Sequence, residues 1–151
     1  MTSTTTLSAA LSADHRARLM SFAHEVFFDV GTCLFEEGQH ADRFWIIKTG
    51  NVALDLHVPG RHAAVVESLG QGELVGWSWH YPPHHWHLGA KATSPVRAYE
   101  FDAEPVRTLC EQDPEFGRAV ACWVGQVVAH RLHSARVRLL DLYAPYGSGS
   151  R

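Results

Sequence analysis

Phe44-Trp45-Ile46-Ile47-Lys48-Thr49-Gly50-Asn51-Val52-Ala53-Leu54-Asp55-Leu56-His57-Val58 reads as two short strands joined by a glycine turn. In the second run Val52, Leu54, Leu56 and Val58 alternate with Ala53, Asp55 and His57, the period of a strand that buries one face. The motif recurs outward in both directions. Thr32–Phe35 precedes it and Ala64–Leu69 follows, and Gly31, Gly38, Gly50, Gly60, Gly70, Gly72 and Gly76 fall between the apolar runs. Glycine enters the φ > 0 conformations of tight turns without steric cost. Val26, Phe28 and Val30 open the series from Glu25, and beyond the loop at 77–87 two more strands are expected at about 88–93 and 96–101, divided at Ser94-Pro95. Short strands punctuated by glycine predict a barrel, roll or sandwich rather than a strand–helix alternation.

Helices are expected on either side of this β region. Ser12 suits an N-cap for a short helix over about 13–24. Asp102 can cap a helix through about Glu111, and Asp113-Pro114 starts another, with the proline at the first helical position. That last helix runs to about Tyr143, roughly 42 Å at 1.5 Å per residue. Val120, Val124, Val127, Val128, Leu132, Ala135, Leu139 and Leu142 recur along it, several at spacings of three and four. A helix this long cannot lie wholly against the core of so small a domain, so it projects or pairs with a second chain, and a homodimer is expected. The domain is therefore drawn as 12–143, with the roll at about 25–101 and helices at about 102–143. Residues 1–11 are a flexible lead-in and 144–151, rich in Gly and Ser, a disordered tail.

Composition narrows the function. Hydrophobic residues make up 46% and charged residues 19%, a mix that supports one core, and the net charge of −3 offers no basic face for nucleic-acid phosphates. With the chain ending soon after the long helix, no DNA-binding domain is expected. Cys33, Cys110 and Cys122 are odd in number and lack metal-type spacing, as for reduced thiols. No signal-peptide pattern and no apolar run of about 18 residues is present, so no membrane association is expected and the chain is placed in the cytoplasm.

The motifs Phe28-x-x-Gly31, Leu34-Phe35-x-x-Gly38, Phe44-x-Ile46-x-x-x-Gly50-x-Val52 and Leu69-Gly-Gln-Gly72-Glu-Leu-Val-Gly76 lie in one order, followed by Phe101-Asp102, Asp113-Pro114 and Arg131-Leu132. From His15 to Tyr143, about 85% of the chain, this pattern resembles the cyclic-nucleotide-binding domains of the catabolite-activator (Crp/Fnr) type. The resemblance implies a mainly β fold with flanking helices: a jelly-roll-like cyclic-nucleotide-binding β-roll plus a long C-terminal helix. It also implies a phosphate-binding cassette after Gly76, in which a glutamate holds the ribose 2′-hydroxyl and an arginine pairs with the cyclic phosphate. A short helix there adds backbone N–H groups to the anion site. This chain departs at both side chains. Trp77 follows Gly76, the arginine's usual place falls near Trp86, and no arginine occurs between Arg61 and Arg97. The loop Gly76-Trp-Ser-Trp-His-Tyr-Pro-Pro-His-His-Trp-His87 is similar to that of a divergent stand-alone subgroup. Losing a charge-assisted pair to a buried phosphate costs about 2–5 kcal/mol, so the ordinary cAMP or cGMP mode is not expected. The ligand is left open, as a cyclic nucleotide or another small anion.

If a ligand is bound, the candidate contacts are Gly72, Glu73, Leu74, Gly76, Trp77, Ser78, His85, Trp86 and His87. His80, His84, His85 and His87 admit three readings: a solvent-exposed loop, an anion contact with His84 or His85 in the arginine's place, or a metal site on His85 and His87. Trp77, Trp79, Tyr81 and Trp86 either clamp a planar ligand or fill the mouth of the roll. Ser78 has no general base in fixed relation to it and suits a turn or the N-cap of a short helix. Gly76→Arg is expected to remove any ligand response without unfolding the roll. No catalytic residues are assigned. The leading functional expectation is a non-enzymatic regulatory or sensor module whose long helix passes a signal to a partner protein. The alternatives are a dimerisation scaffold with a degenerate pocket and, least favoured, a cupin-like metal enzyme.

Overall fold

The computed structural model describes residues 6–60 and 62–143. Eight strands form: β1 (His24–Phe28), β2 (Cys33–Phe35), β3 (Arg43–Thr49), β4 (Val52–Leu56), β5 (Ala64–Leu69), β6 (Leu74–Val75), β7 (Gly89–Ala92) and β8 (Val96–Asp102). They build two antiparallel four-stranded sheets, ordered β1-β8-β3-β6 and β2-β7-β4-β5. With helices before and after them, this is the β-roll with a long C-terminal helix that the glycine pattern led us to expect. Gly31, Gly38, Gly50, Gly60, Gly72 and Gly76 all have positive φ, and at Gly50 an added Cβ would meet the Pro95 carbonyl oxygen at 2.2 Å.

Strand β3 is apolar on both faces, and the two faces do different things. Trp45 turns into the roll, stacking on Phe35 of the opposite sheet with ring centroids 5.8 Å apart and meeting Phe28 edge-on. Its indole N–H donates to Glu100 Oε1 at 2.9 Å. Phe44, one residue earlier, points the other way and stacks between Phe101 (4.7 Å) and Trp79 (4.0 Å). Successive strand side chains face opposite sides, so burial of Phe44, Trp45, Ile46 and Ile47 together marks a strand covered on both.

Three expectations need correction. In β4 the alternation fails: Val52, Ala53 and Leu54 are all buried, while Leu56 is 39% exposed. A register shift between Leu54 and Asp55 against β5 re-aims the strand's end. The lead-in is not free over its second half. Leu7–Ala10 is a helical turn, α1, with Leu7 and Leu11 buried and the Leu7 N–H donating to the Gly72 carbonyl at 3.1 Å. Two leucines four apart share one face, and covering them outweighs the chain entropy of a free end. The third concerns α2 (Ala13–Met20), which Ser12 caps through the His15 N–H as expected, but which ends before the range read from sequence. The expectations for residues 1–5 and 144–151 lie outside the described residues.

After β8 come α3 (Ala103–Gln112) and α4 (Pro114–Tyr143, 30 residues). Asp113 caps α4, its Oδ1 accepting from the Glu115 and Phe116 N–H groups at 3.2 Å each. Asp102 sits at the N-cap position of α3 but its side chain makes no cap bond; the Ala103 N–H donates instead to the Asp42 carbonyl. Phe116, Val120, Trp123, Val124 and Val127 make the buried stripe of α4. Beyond Val128 the helix leaves the core, with Leu132, Val137, Leu139 and Leu140 44–65% exposed. No helix among the described residues is long and apolar enough to cross a membrane.

Candidate functional site at the mouth of the roll

Strand β6 ends at Val75, and Gly76 turns the chain into the loop that returns to β7. At φ +91° Gly76 adopts a conformation that L side chains avoid, and a Cβ there would meet two ring carbons of Trp86 at 2.5 Å. Phe35 stacks on Trp86, ring centroids 3.9 Å apart, and its ring edge lies 3.6 Å from the same added Cβ, so the stacked pair closes over the glycine together. Trp45 flanks both rings at 6.3 Å from Trp86. Trp86 is 5% exposed. The indole thus occupies the ground over Gly76 where the resemblance puts a phosphate seat.

What remains open is small. Phe35, Leu54, Gly76, Trp77, Ser78, Trp86, His87, Leu88 and Arg131 line a cavity of about 50 Å³. Pockets for drug-sized ligands run to about 300–1,000 Å³. Three polar groups face this space. The buried Ser78 hydroxyl lies 3.2 Å from His87 Nδ1, and His87 in turn stacks on Trp77 at 5.3 Å. The third is Arg131, from the point where α4 leaves the core. Its Nη2 donates to the Leu74 carbonyl. Burial pulls the Arg131 pKa down to about 10, against the pull of Glu67 and Glu73 in the other direction, so the guanidinium stays charged at neutral pH. Burial pushes Glu67 up, opposed by Arg131 and His130, whose Nε2 lies 3.7 Å from it.

The structure gathers Gly76, Trp77, Ser78, Trp86 and His87 at the mouth and separates the other candidates. Gly72 lies against Thr6, and its N–H donates to the Ile47 carbonyl at 2.7 Å. Glu73 accepts from the Gly70 N–H at 2.8 Å, closing a turn. Leu74 is fully buried and reaches the site only through its carbonyl. His85 is exposed and pairs with His40, ring centroids 5.8 Å apart, whereas His87 packs on Trp77 and faces Ser78. Among the described residues no group of three or more His, Cys, Asp or Glu side chains is placed to hold a metal ion. The expected short helix after Gly76 does not form; 78–80 is a turn, with the His80 N–H donating to the Trp77 carbonyl. Pro82 and Pro83 carry no N–H to continue a helix. Trp79 does not clamp a ligand, because it is fully buried against Phe44.

Arg131 was the residue missed as a site candidate, and a signal for it exists. The buried stripe 116, 120, 123/124, 127 points, one turn on, to the half-buried position 131. A long cation at that place must reach across the roll or lose solvation unpaired.

Comparison with known proteins agrees with this architecture. The model of the cyclic nucleotide-binding domain family matches residues 25–113, and the chain belongs to that family. It is 26% identical over 126 residues to the CRP-like cAMP-activated global transcriptional regulator of Mycobacterium tuberculosis, a match covering 83% of this chain and 54% of the relative. The chain thus spans about half the length of that curated relative. Among solved structures it is similar to a cyclic nucleotide-binding domain from Methylobacillus flagellatus KT (TM-score 0.78, 19% identity, 87% of this chain and 74% of that one). It is also similar to the N-terminal domain of a transcriptional regulator from Streptomyces coelicolor A3(2) (TM-score 0.68, 24% identity, 82% and 89%).

Proposed function

We propose that this chain is a non-catalytic regulatory module, working in the cytoplasm as a homodimer through α4, whose mouth does not take cAMP or cGMP in the manner the family resemblance implies. One observation carries the proposal: Trp86 lies on Gly76, where the nucleotide's anion would sit. A ligand for this mouth is either small enough for a cavity of about 50 Å³ or able to displace the indole. Arg131, Ser78 and His87 are the polar groups that would meet a small anion. Arg131 also supplies the link to output, because it ties the mouth to the helix whose far half is exposed and apolar. Signal then passes as a shift of α4 against a second copy and on to a partner protein.

A second reading is a scaffold whose mouth is permanently closed. It is favoured by the backbone bonds that hold Trp86's own segment, its N–H donating to the Gln39 carbonyl at 2.9 Å and its carbonyl accepting from Gly38 at 2.8 Å. Thermal-shift measurements test both. A ligand present at a hundred times its Kd stabilises by about 2.7 kcal/mol, several degrees for a chain this size. We expect no shift with millimolar cAMP or cGMP; a shift of several degrees with either contradicts the proposal. A shift with a small anion, lost in Arg131→Gln, favours the regulatory reading over the scaffold.

A further inference from the structure

The loop carrying Trp86 is latched to the connection between β2 and β3. Besides the two bonds of Trp86 itself, the Ala41 N–H donates to the His84 carbonyl at 2.7 Å, and His40 and His85 form a single antiparallel bridge. Glu36, Glu37 and Asp42 flank the latched segment in the chain, but the groups that act on the loop's imidazoles are cationic. His80, His84 and His85 come from the loop, His40 from the β2–β3 connection, and Arg107 from α3, its Nη1 donating to the Trp79 carbonyl at 2.7 Å. Tyr81 packs edge-on against His80 at 4.9 Å. His80 Nδ1 is buried without a hydrogen-bond partner among the described residues. Among those residues, the charges acting on His80 are Arg107 and His84, and those acting on His84 are Arg107, His40 and His85; no carboxylate is among them.

We propose that acid releases the plug: proton uptake by His80 and His84 breaks the latch between 38–41 and 84–86 and withdraws Trp86 from Gly76, opening the mouth. The inference rests on the reading that Trp86 closes the mouth at neutral pH. The geometry supplies the cause, since a proton added to His80 or His84 places a cation beside Arg107 or another imidazole, with no carboxylate among the charges acting on either. The direction of titration agrees. Burial, then Arg107 and neighbouring histidines, hold His80 and His84 below their ordinary value of 6.5. The latched loop therefore binds fewer protons than the released one. Its stability is complete above pH 6.5 and is lost as pH falls through the lower latched values.

Amide exchange followed by NMR on the whole chain, corrected for the intrinsic pH dependence, tests this between about pH 7.5 and pH 5. The amides of Gly38, Ala41 and Trp86 are expected to lose protection roughly tenfold or more while the β3–β8 ladder keeps its own. The loss should follow the imidazole titrations of His80 and His84 read in the same samples, and should vanish in the double variant His80→Gln/His84→Asn, asparagine tolerating the φ of +60° at position 84. Equal protection at the two pH values, loss shared by the β3–β8 ladder, or loss that does not track these histidines overturns the acid release. A Trp86 indole already open to solvent at pH 7.5 overturns instead the plug reading beneath it.

Discussion

Trp86 and Gly76 are a matched pair, and each is explained by the other. Gly76→Ala puts a methyl group into the indole at a strained φ and should cost about 2–4 kcal/mol in denaturant unfolding. The clash extends to any larger side chain, so Gly76→Arg should destabilise the roll, contrary to the expectation from sequence that it would leave the fold intact. Trp86→Ala removes the ring itself and should cost about 3–5 kcal/mol, part of it recovered when free indole is added to the variant. Together the two substitutions should cost less than their sum, by about 1 kcal/mol, because the methyl group no longer meets a ring. Strict additivity in that cycle would mean the two residues do not touch. From the sequence, the tryptophan at the expected arginine position was visible, and filling of the mouth was one of two readings weighed. The choice between them needed Phe35, fifty-one positions away in the chain, because a ring is fixed by what it stacks on.

At the scale of elements, α4 was legible in its limits and less so in its attachments. Pro114 and the Asp113 cap set its start, and the recurrence of apolar residues set its direction. Arg131 is harder to see in the sequence, because Arg131-Leu132 fits a family motif and its place on the face that carries the buried stripe shows only once the helix is seen to pack. Arg131→Ala should lower stability by about 2 kcal/mol, with faster amide exchange confined to β5, β6 and the second half of α4; loss spread evenly over the chain would argue against a local tie. At the helix start, the side-chain bond from Arg18, then the Phe116 N–H, hold the Asp113 carboxyl below its usual value of 3.8. A carboxylate lowered by folding stabilises above its ordinary pKa and ceases to as pH falls through the lowered value. Asp113→Ala should therefore lower the melting temperature at pH 7, with the difference from the native chain shrinking below pH 3.8. β4 shows the limit of periodicity: its residues alternate along the whole run, but a shift against a neighbouring strand belongs to the pair and leaves no mark in either sequence.

For the whole molecule, the fold followed from spacing because glycine turns are local, whereas the closed mouth is a long-range fact assembled from β2, β3, the 76–88 loop and α4. The exposed leucines of α4 give the assembly its test. The native chain should sediment as a dimer, and Leu132→Glu with Leu139→Glu as a folded monomer; a native monomer would remove the proposed route of output. The most direct probe of the plug is a nuclear Overhauser measurement at pH 7.5 between the Trp86 ring protons and the α-protons of Gly76. A strong cross-peak, accompanied by one to the Phe35 ring, is expected for the closed mouth. No cross-peak to either residue, together with an indole N–H in fast exchange with water, would contradict it.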